Sequence, residues 1–142
     1  MKETLYARVG GLPTLQKVHK IFYDKVYAHA WLGQFFVGHD QQAIEDRQTA
    51  FMAEKMGGDV RYPGKEPRMA HRAMYITAEL FELRQQLLEA SLIEAGLPED
   101  LRRRWLKIDA AFKHHIVKDS ISSFYATTWK YEKRIIIPRG EE

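Results

Sequence analysis

Along most of this chain apolar side chains recur at steps of three and four residues, the spacing that lines one face of an α-helix. Pro13 suits a first helical turn after Gly10-Gly11, and Leu15, Val18, Phe22 and Val26 follow as a stripe, predicting a helix over about 13–29. Trp31-Leu-Gly-Gln-Phe35-Phe36 reads as a short apolar turn that packs a corner. Gly38-His39-Asp40 ends that turn, and a second helix starts near Gln41, with Ile44, Gln48, Phe51 and Met52 on one face. Gly57-Gly58 stops it, because glycine readily takes the left-handed conformation at a helix C-terminus, and a loop with Pro63, Gly64 and Pro67 leads to His71. Thr77 caps a third helix reaching about Ala95, whose apolar face is Leu80, Phe81, Leu83, Leu87, Leu88 and Leu92. Pro98-Glu99-Asp100 opens a fourth, continued by Leu101, Trp105, Ile108, Phe112 and Ile116. Val117, Ile121, Phe124 and Tyr125 then prolong that stripe or start a separate helix capped at Asp119, before Ile135-Ile136-Ile137-Pro138. No stretch alternates over a strand's length, so four principal helices make an all-α fold.

Composition narrows the classes. At 142 residues the chain is the size of one domain, with a single core large enough to hold a cofactor. Its 45% hydrophobic content suits a packed protein, yet no apolar run approaches the ~20 residues that span a bilayer, so no membrane role is expected. The first residues lack the apolar core of a secretory signal, and a cytoplasmic location is expected. The absence of cysteine excludes disulfides, thiolate ligation and iron–sulfur clusters, leaving His, carboxylate or Tyr for any metal. A charge of +3 is modest, and Arg102-Arg103-Arg104 with Lys107 reads as a solvated helix face, which does not indicate nucleic acid.

Polar residues on the apolar stripes carry the chemistry. Gln48 lies one turn from Ile44 and from both Phe51 and Met52, and Tyr23 lies one turn from Val26. Either the two bond one another and fix helix packing, or they form a polar lid over a ligand, because an unpartnered buried amide costs ~1–3 kcal/mol. Arg84 sits among Leu80, Phe81, Leu87 and Leu88. It snorkels, pairs with Asp109, or meets an anionic ligand group, since an unpaired guanidinium there is costly. A histidine such as His71 at the threshold of an apolar helix is by base rate an ordinary side chain, and its neighbours must decide otherwise.

Those neighbours resemble the truncated haemoglobins, small globins that fold as a two-over-two helical sandwich around haem. The resemblance runs from about Thr4 to His114 and rests on ordered segments: Leu5-Tyr6 to Gly10-Gly11, Phe22-Tyr23 to Val26, Leu32 to Phe36, Arg47-Gln48 to Phe51, Gly57-Gly58 with Tyr62-Pro-Gly64, and Met69-Ala-His71 with Ile76-Thr77. The spacing from Gly64 to His71 and the Tyr23/Gln48 pairing are similar to the family's first group. The resemblance implies haem b with His71 as proximal iron ligand, Tyr23 and Gln48 as distal residues, and Phe36 packed on the ring. Ile44 stands where larger globins commonly place a distal histidine, which leaves the sixth position open to ligand. Phe22, Phe51, Met52, Met74, Ile76, Phe81 and Leu80 would form the apolar walls, and Arg47 and Tyr62 match positions that often meet propionates.

The implied function is reversible binding of oxygen and other diatomic gases, nitric oxide and carbon monoxide among them. Nitric oxide dioxygenation or a peroxidase-type activity would extend it, the former with an unidentified reductase. The alternatives are a haem-based gas or redox sensor acting through the C-terminal extension, and a helical binding module that has lost the cofactor. Two departures stand out. Arg84 replaces a usually apolar residue against the haem, and His114 falls where some cyanobacterial members bond a haem vinyl group covalently. The expected division is a globin domain over 1–118 and an extension over 119–142, packed on the globin or at a dimer contact, in a monomer or weak homodimer.

Overall fold

In a computed structural model, the structure describes residues 3–62, 71, 74–118, 120–127 and 135–138. The expected loop residues Pro63, Gly64 and Pro67 and the cap at Asp119 lie outside them. The described chain runs α1 (Leu5–Val9), α2 (Gly11–Ala28), a 3₁₀ turn (Leu32–Phe36), α3 (Gln41–Lys55), α4 (Ala78–Glu94), α5 (Glu99–Ala110), α6 (Lys113–Ile116) and α7 (Ile121–Thr127). Helix α2 packs on both α3 and α4, and α4 packs on α5, the all-helical arrangement expected from the stripes.

Side-chain caps set the starts. Thr4 Oγ1 accepts from Ala7 N at 3.1 Å, Asp40 Oδ2 from Ala43 N at 3.0 Å, and Thr77 Oγ1 from Leu80 N at 3.2 Å, each satisfying an amide with no partner inside its helix. Gly10 joins α1 to α2 at φ 113°, a left-handed conformation that favours glycine. A Cβ at Gly33 would stand 2.6 Å from the Tyr27 carbonyl oxygen, so glycine lets the 3₁₀ turn lie against the last turn of α2 and deliver Phe35 and Phe36. His29 Nδ1 holds the same corner, accepting from Trp31 N and Leu32 N at 3.1 Å each.

The core is one cluster that includes Leu15, Val18, Phe22 and Val26 of α2, Met52 of α3, Leu80, Leu88 and Leu92 of α4, and Leu101 and Trp105 of α5. Two expectations need correction. The first helix begins at Gly11, and a short helix precedes it, anchored by buried Leu5 and Val9 but too brief to show a period. The fourth stops at Ala110 instead of carrying its stripe to Ile116. There the amide of Ala111 is shared between the carbonyls of Lys107 and Ile108, which tightens the last turn, and Phe112 packs edge-on against Phe51 at 5.1 Å. Among the described residues there is no strand, only two isolated parallel bridges, Met74 with Ile135 and Ile76 with Val117.

Candidate functional site

Helix α2 buries the face containing Leu15, Val18, His19, Phe22, Tyr23 and Val26, so its register places a phenol among rings. Tyr23 is 5% exposed, lies edge-on to Phe22 at 4.8 Å and to Phe36 at 6.0 Å, and its hydroxyl bonds no described residue. Burial pushes that hydroxyl up to about 12, against the opposing pull of the Arg84 charge. Tyr23 is therefore a neutral donor at every physiological pH. Gln48, half-buried on α3, also bonds no described group, so the Tyr23–Gln48 hydrogen bond that would merely fix helix packing is not formed. Two polar heads are left available to something other than each other.

The apolar residues expected around them divide by burial. Phe22, Phe51, Met52 and Phe81 are buried. Phe36, Ile44, Met74 and Ile76 are only partly covered and pack against the edge of the core cluster. Tyr62, half-buried, sets its ring edge-on to Phe51 at 5.1 Å, and its backbone amide donates to the Glu54 carboxylate. Arg47 is exposed on α3. His71 is half-buried, and its carbonyl accepts from Met74 N at 3.0 Å and from Lys118 Nζ at 2.8 Å. His114 is exposed on α6, its ring 4.0 Å from that of His115.

Arg84 resolves in favour of Asp109. Its Nη1 lies 2.6 Å from Asp109 Oδ2, which also accepts from Gln85 Nε2 at 2.7 Å. The guanidinium stands over the rings of Phe22 at 5.3 Å and Phe81 at 5.9 Å, so cation–π attraction adds to the ion pair. A charge is thus fixed behind the Tyr23 wall with its partner supplied by α5.

His19 was not singled out from sequence, although it shares the register of Leu15, Phe22 and Tyr23; a stripe judged by apolar residue type passes over it. It is 1% exposed, its Nδ1 shares a hydrogen bond with Thr49 Oγ1 at 2.7 Å, and its ring meets Trp105 edge-on at 5.8 Å. Trp105 Nε1, also buried, has no hydrogen-bond partner among the described residues. Burial lowers the His19 imidazole from 6.5 to about 3, the Arg84 charge adding to the effect. Between those values the unfolded chain binds a proton that the folded one refuses, so stability is full above pH 6.5 and falls as pH drops toward 3. The loss across that window is on the order of 4 kcal/mol. Urea unfolding over a pH series should show a shallower acid slope for His19→Gln than for the natural chain, and equal slopes would discard the assignment.

The profile of the bacterial-like globin family matches residues 4–118. The group 1 truncated hemoglobin of Mycolicibacterium paratuberculosis is 32% identical over 97 residues, covering 68% of this chain and 71% of the relative. Among solved structures, the 2/2 hemoglobin of Synechococcus sp. PCC 7002, in the cyanomet state and with covalently attached heme, superposes with a TM-score of 0.73 at 28% identity, covering 80% of this chain and 95% of that one. The Fe(III) form of the Tetrahymena pyriformis truncated hemoglobin gives a TM-score of 0.77 at 26% identity, over 82% of this chain and 100% of that one.

Proposed function

The chain belongs to the bacterial-like, or truncated, globin family, and from that premise we propose that it binds haem b through His71 and reversibly takes up oxygen and other diatomic gases. The donor set and its surroundings fit the group. His71 offers an imidazole at the entry to an apolar segment, Phe36, Ile44, Met74 and Ile76 are incompletely covered apolar residues packed against the core, and Tyr23 and Gln48 carry polar heads with no described partner. When bound, haem would supply an iron that takes the His71 imidazole as ligand and keeps a coordination position for a gas.

The chain's own residues set how long the gas stays. Tyr23 Oη keeps its proton over the whole physiological range and so donates a hydrogen bond toward a ligand that carries partial negative charge. Gln48 adds an amide donor from α3, and Ile44, one turn earlier, supplies neither a lone pair nor a donor. The Phe22 and Phe36 rings packed edge-on against Tyr23 hold the phenol in place. Nitric oxide dioxygenation to nitrate is the turnover this arrangement suits, with electrons from a separate reductase.

The observation that carries the reading is a buried tyrosine beside Phe36 whose hydroxyl bonds no described residue. Removing that hydroxyl in Tyr23→Phe should speed oxygen dissociation by about tenfold or more, the worth of a hydrogen bond to a charged acceptor. Stopped-flow displacement by carbon monoxide measures it. Unchanged release in both Tyr23→Phe and Gln48→Ala would reject the distal assignment.

A further inference from the structure

The segment that carries His71 toward α4 has little secondary structure of its own among the described residues; its backbone is held from far along the chain. Lys118 Nζ donates to the His71 carbonyl at 2.8 Å and to that of Ile116 at 3.1 Å. Lys118 N donates to the Ile76 carbonyl at 2.8 Å, beside the parallel bridge between Ile76 and Val117. From the other direction Tyr75 N donates to the Ile135 carbonyl at 2.8 Å, beside the bridge between Met74 and Ile135. Trp31 Nε1 then secures the end of that strap, donating to the Ile137 carbonyl at 2.7 Å.

Beneath these bonds lies one buried ring. Phe124 of α7 is 0% exposed, with Tyr75 at 5.5 Å and Lys118 Nζ 5.9 Å from its centroid. Residues after the fourth principal helix therefore hold the backbone at His71 and at 74–76, and an ammonium, half-buried, sits on the carbonyl of the histidine itself. A charged donor on a carbonyl makes one of the stronger hydrogen bonds available, and it restricts the backbone from which the imidazole projects.

We propose that Lys118, at the end of the globin segment, is a positioning residue for His71, and that residues 135–137 of the C-terminal extension strap the same stretch of backbone and so help orient the iron ligand. The proposal rests on the haem reading above. Partners that orient a metal-binding histidine commonly change affinity by about 10–100-fold when removed, and here the orienting contact is to the backbone. Trp31 contributes at one remove, through Ile137.

The test uses the full chain with Lys118→Met, which keeps an unbranched stem of similar length and loses the charged donor; Lys118→Arg serves as the conservative variant. In the haem-free protein, amide exchange at Met74 and Tyr75 should quicken roughly tenfold in Lys118→Met, with most of the protection restored in Lys118→Arg. In the haem-loaded protein the iron–histidine stretching band of the ferrous form should shift or broaden, and haem transfer to an acceptor globin should speed about tenfold. Trp31→Phe should loosen Tyr75 while leaving the contact of Lys118 with the His71 carbonyl in place, which supplies a second arm if Lys118→Met folds poorly. Wild-type haem bound through His71 together with an unchanged band and transfer rate in Lys118→Met would overturn the positioning role alone. A wild-type chain that takes up no haem would overturn the haem reading and the role of Lys118 with it. The exchange data would still report whether the clamp exists.

Discussion

His71→Ala should produce a protein that captures haem poorly and, in what it does capture, lacks the spectrum of a histidine-ligated iron. The prediction is sharp because the other five of the six histidines are placed elsewhere in the structure's logic. His19 is buried, bonded to Thr49 and held neutral by a value near 3. His29 spends Nδ1 on the amides of Trp31 and Leu32. His39 lies exposed at the turn before α3, and His114 and His115 lie ring against tilted ring on α6. Absorption spectra in the ferric, ferrous and carbon monoxide states measure the effect, and added imidazole should partly restore the ferrous spectrum by filling the space the ring leaves. Haem capture with normal proximal ligation in His71→Ala would refute the central claim.

Asp109→Ala should cost about 3 kcal/mol of stability, the range found when one partner of a buried ion pair is removed. The Arg84 side chain is only 25% exposed and Asp109 6%, so the guanidinium left behind keeps little water to replace the lost carboxylate. Gln85 also loses its acceptor. Replacing both charges at once, in Arg84→Met with Asp109→Leu, should recover most of the loss, because the pair's own net contribution is small beside the penalty of orphaning half of it. Urea unfolding, compared at constant slope, gives both values. A double variant as unstable as Asp109→Ala would show that the pair itself, rather than the orphaned charge, accounts for the cost.

How the two polar oddities resolved shows what periodicity reveals and what it leaves open. Arg84 and Tyr23 were visible in the sequence as polar heads on apolar stripes, since a helix repeats its buried face every three to four residues and anything charged on that face must be explained. The pattern could not say whether Arg84 met Asp109 or an anion, nor whether Tyr23 met Gln48. Those outcomes depend on how α4 turns toward α5, and α2 toward α3, which no single helix specifies. His19 escaped notice for the related reason that a histidine in the register of a stripe differs from a surface one only in what packs around it.

The helices and their starts were local properties of the chain: Thr77 accepts from Leu80 three residues on, and the α4 stripe needs nothing beyond its own period to be recognised. The same holds for the turn of the chain at Gly57-Gly58 and for the apolar face of α2. The hold on His71 is different in kind. Lys118 reaches across 47 positions to its carbonyl, Ile135 accepts from Tyr75, and Trp31 bonds Ile137 across 106. Backbone amides and carbonyls are the same at every residue, so which of them meet across such distances leaves no mark in side-chain periodicity; it is settled when the packed helices bring the segments side by side and the remaining polar groups must find partners.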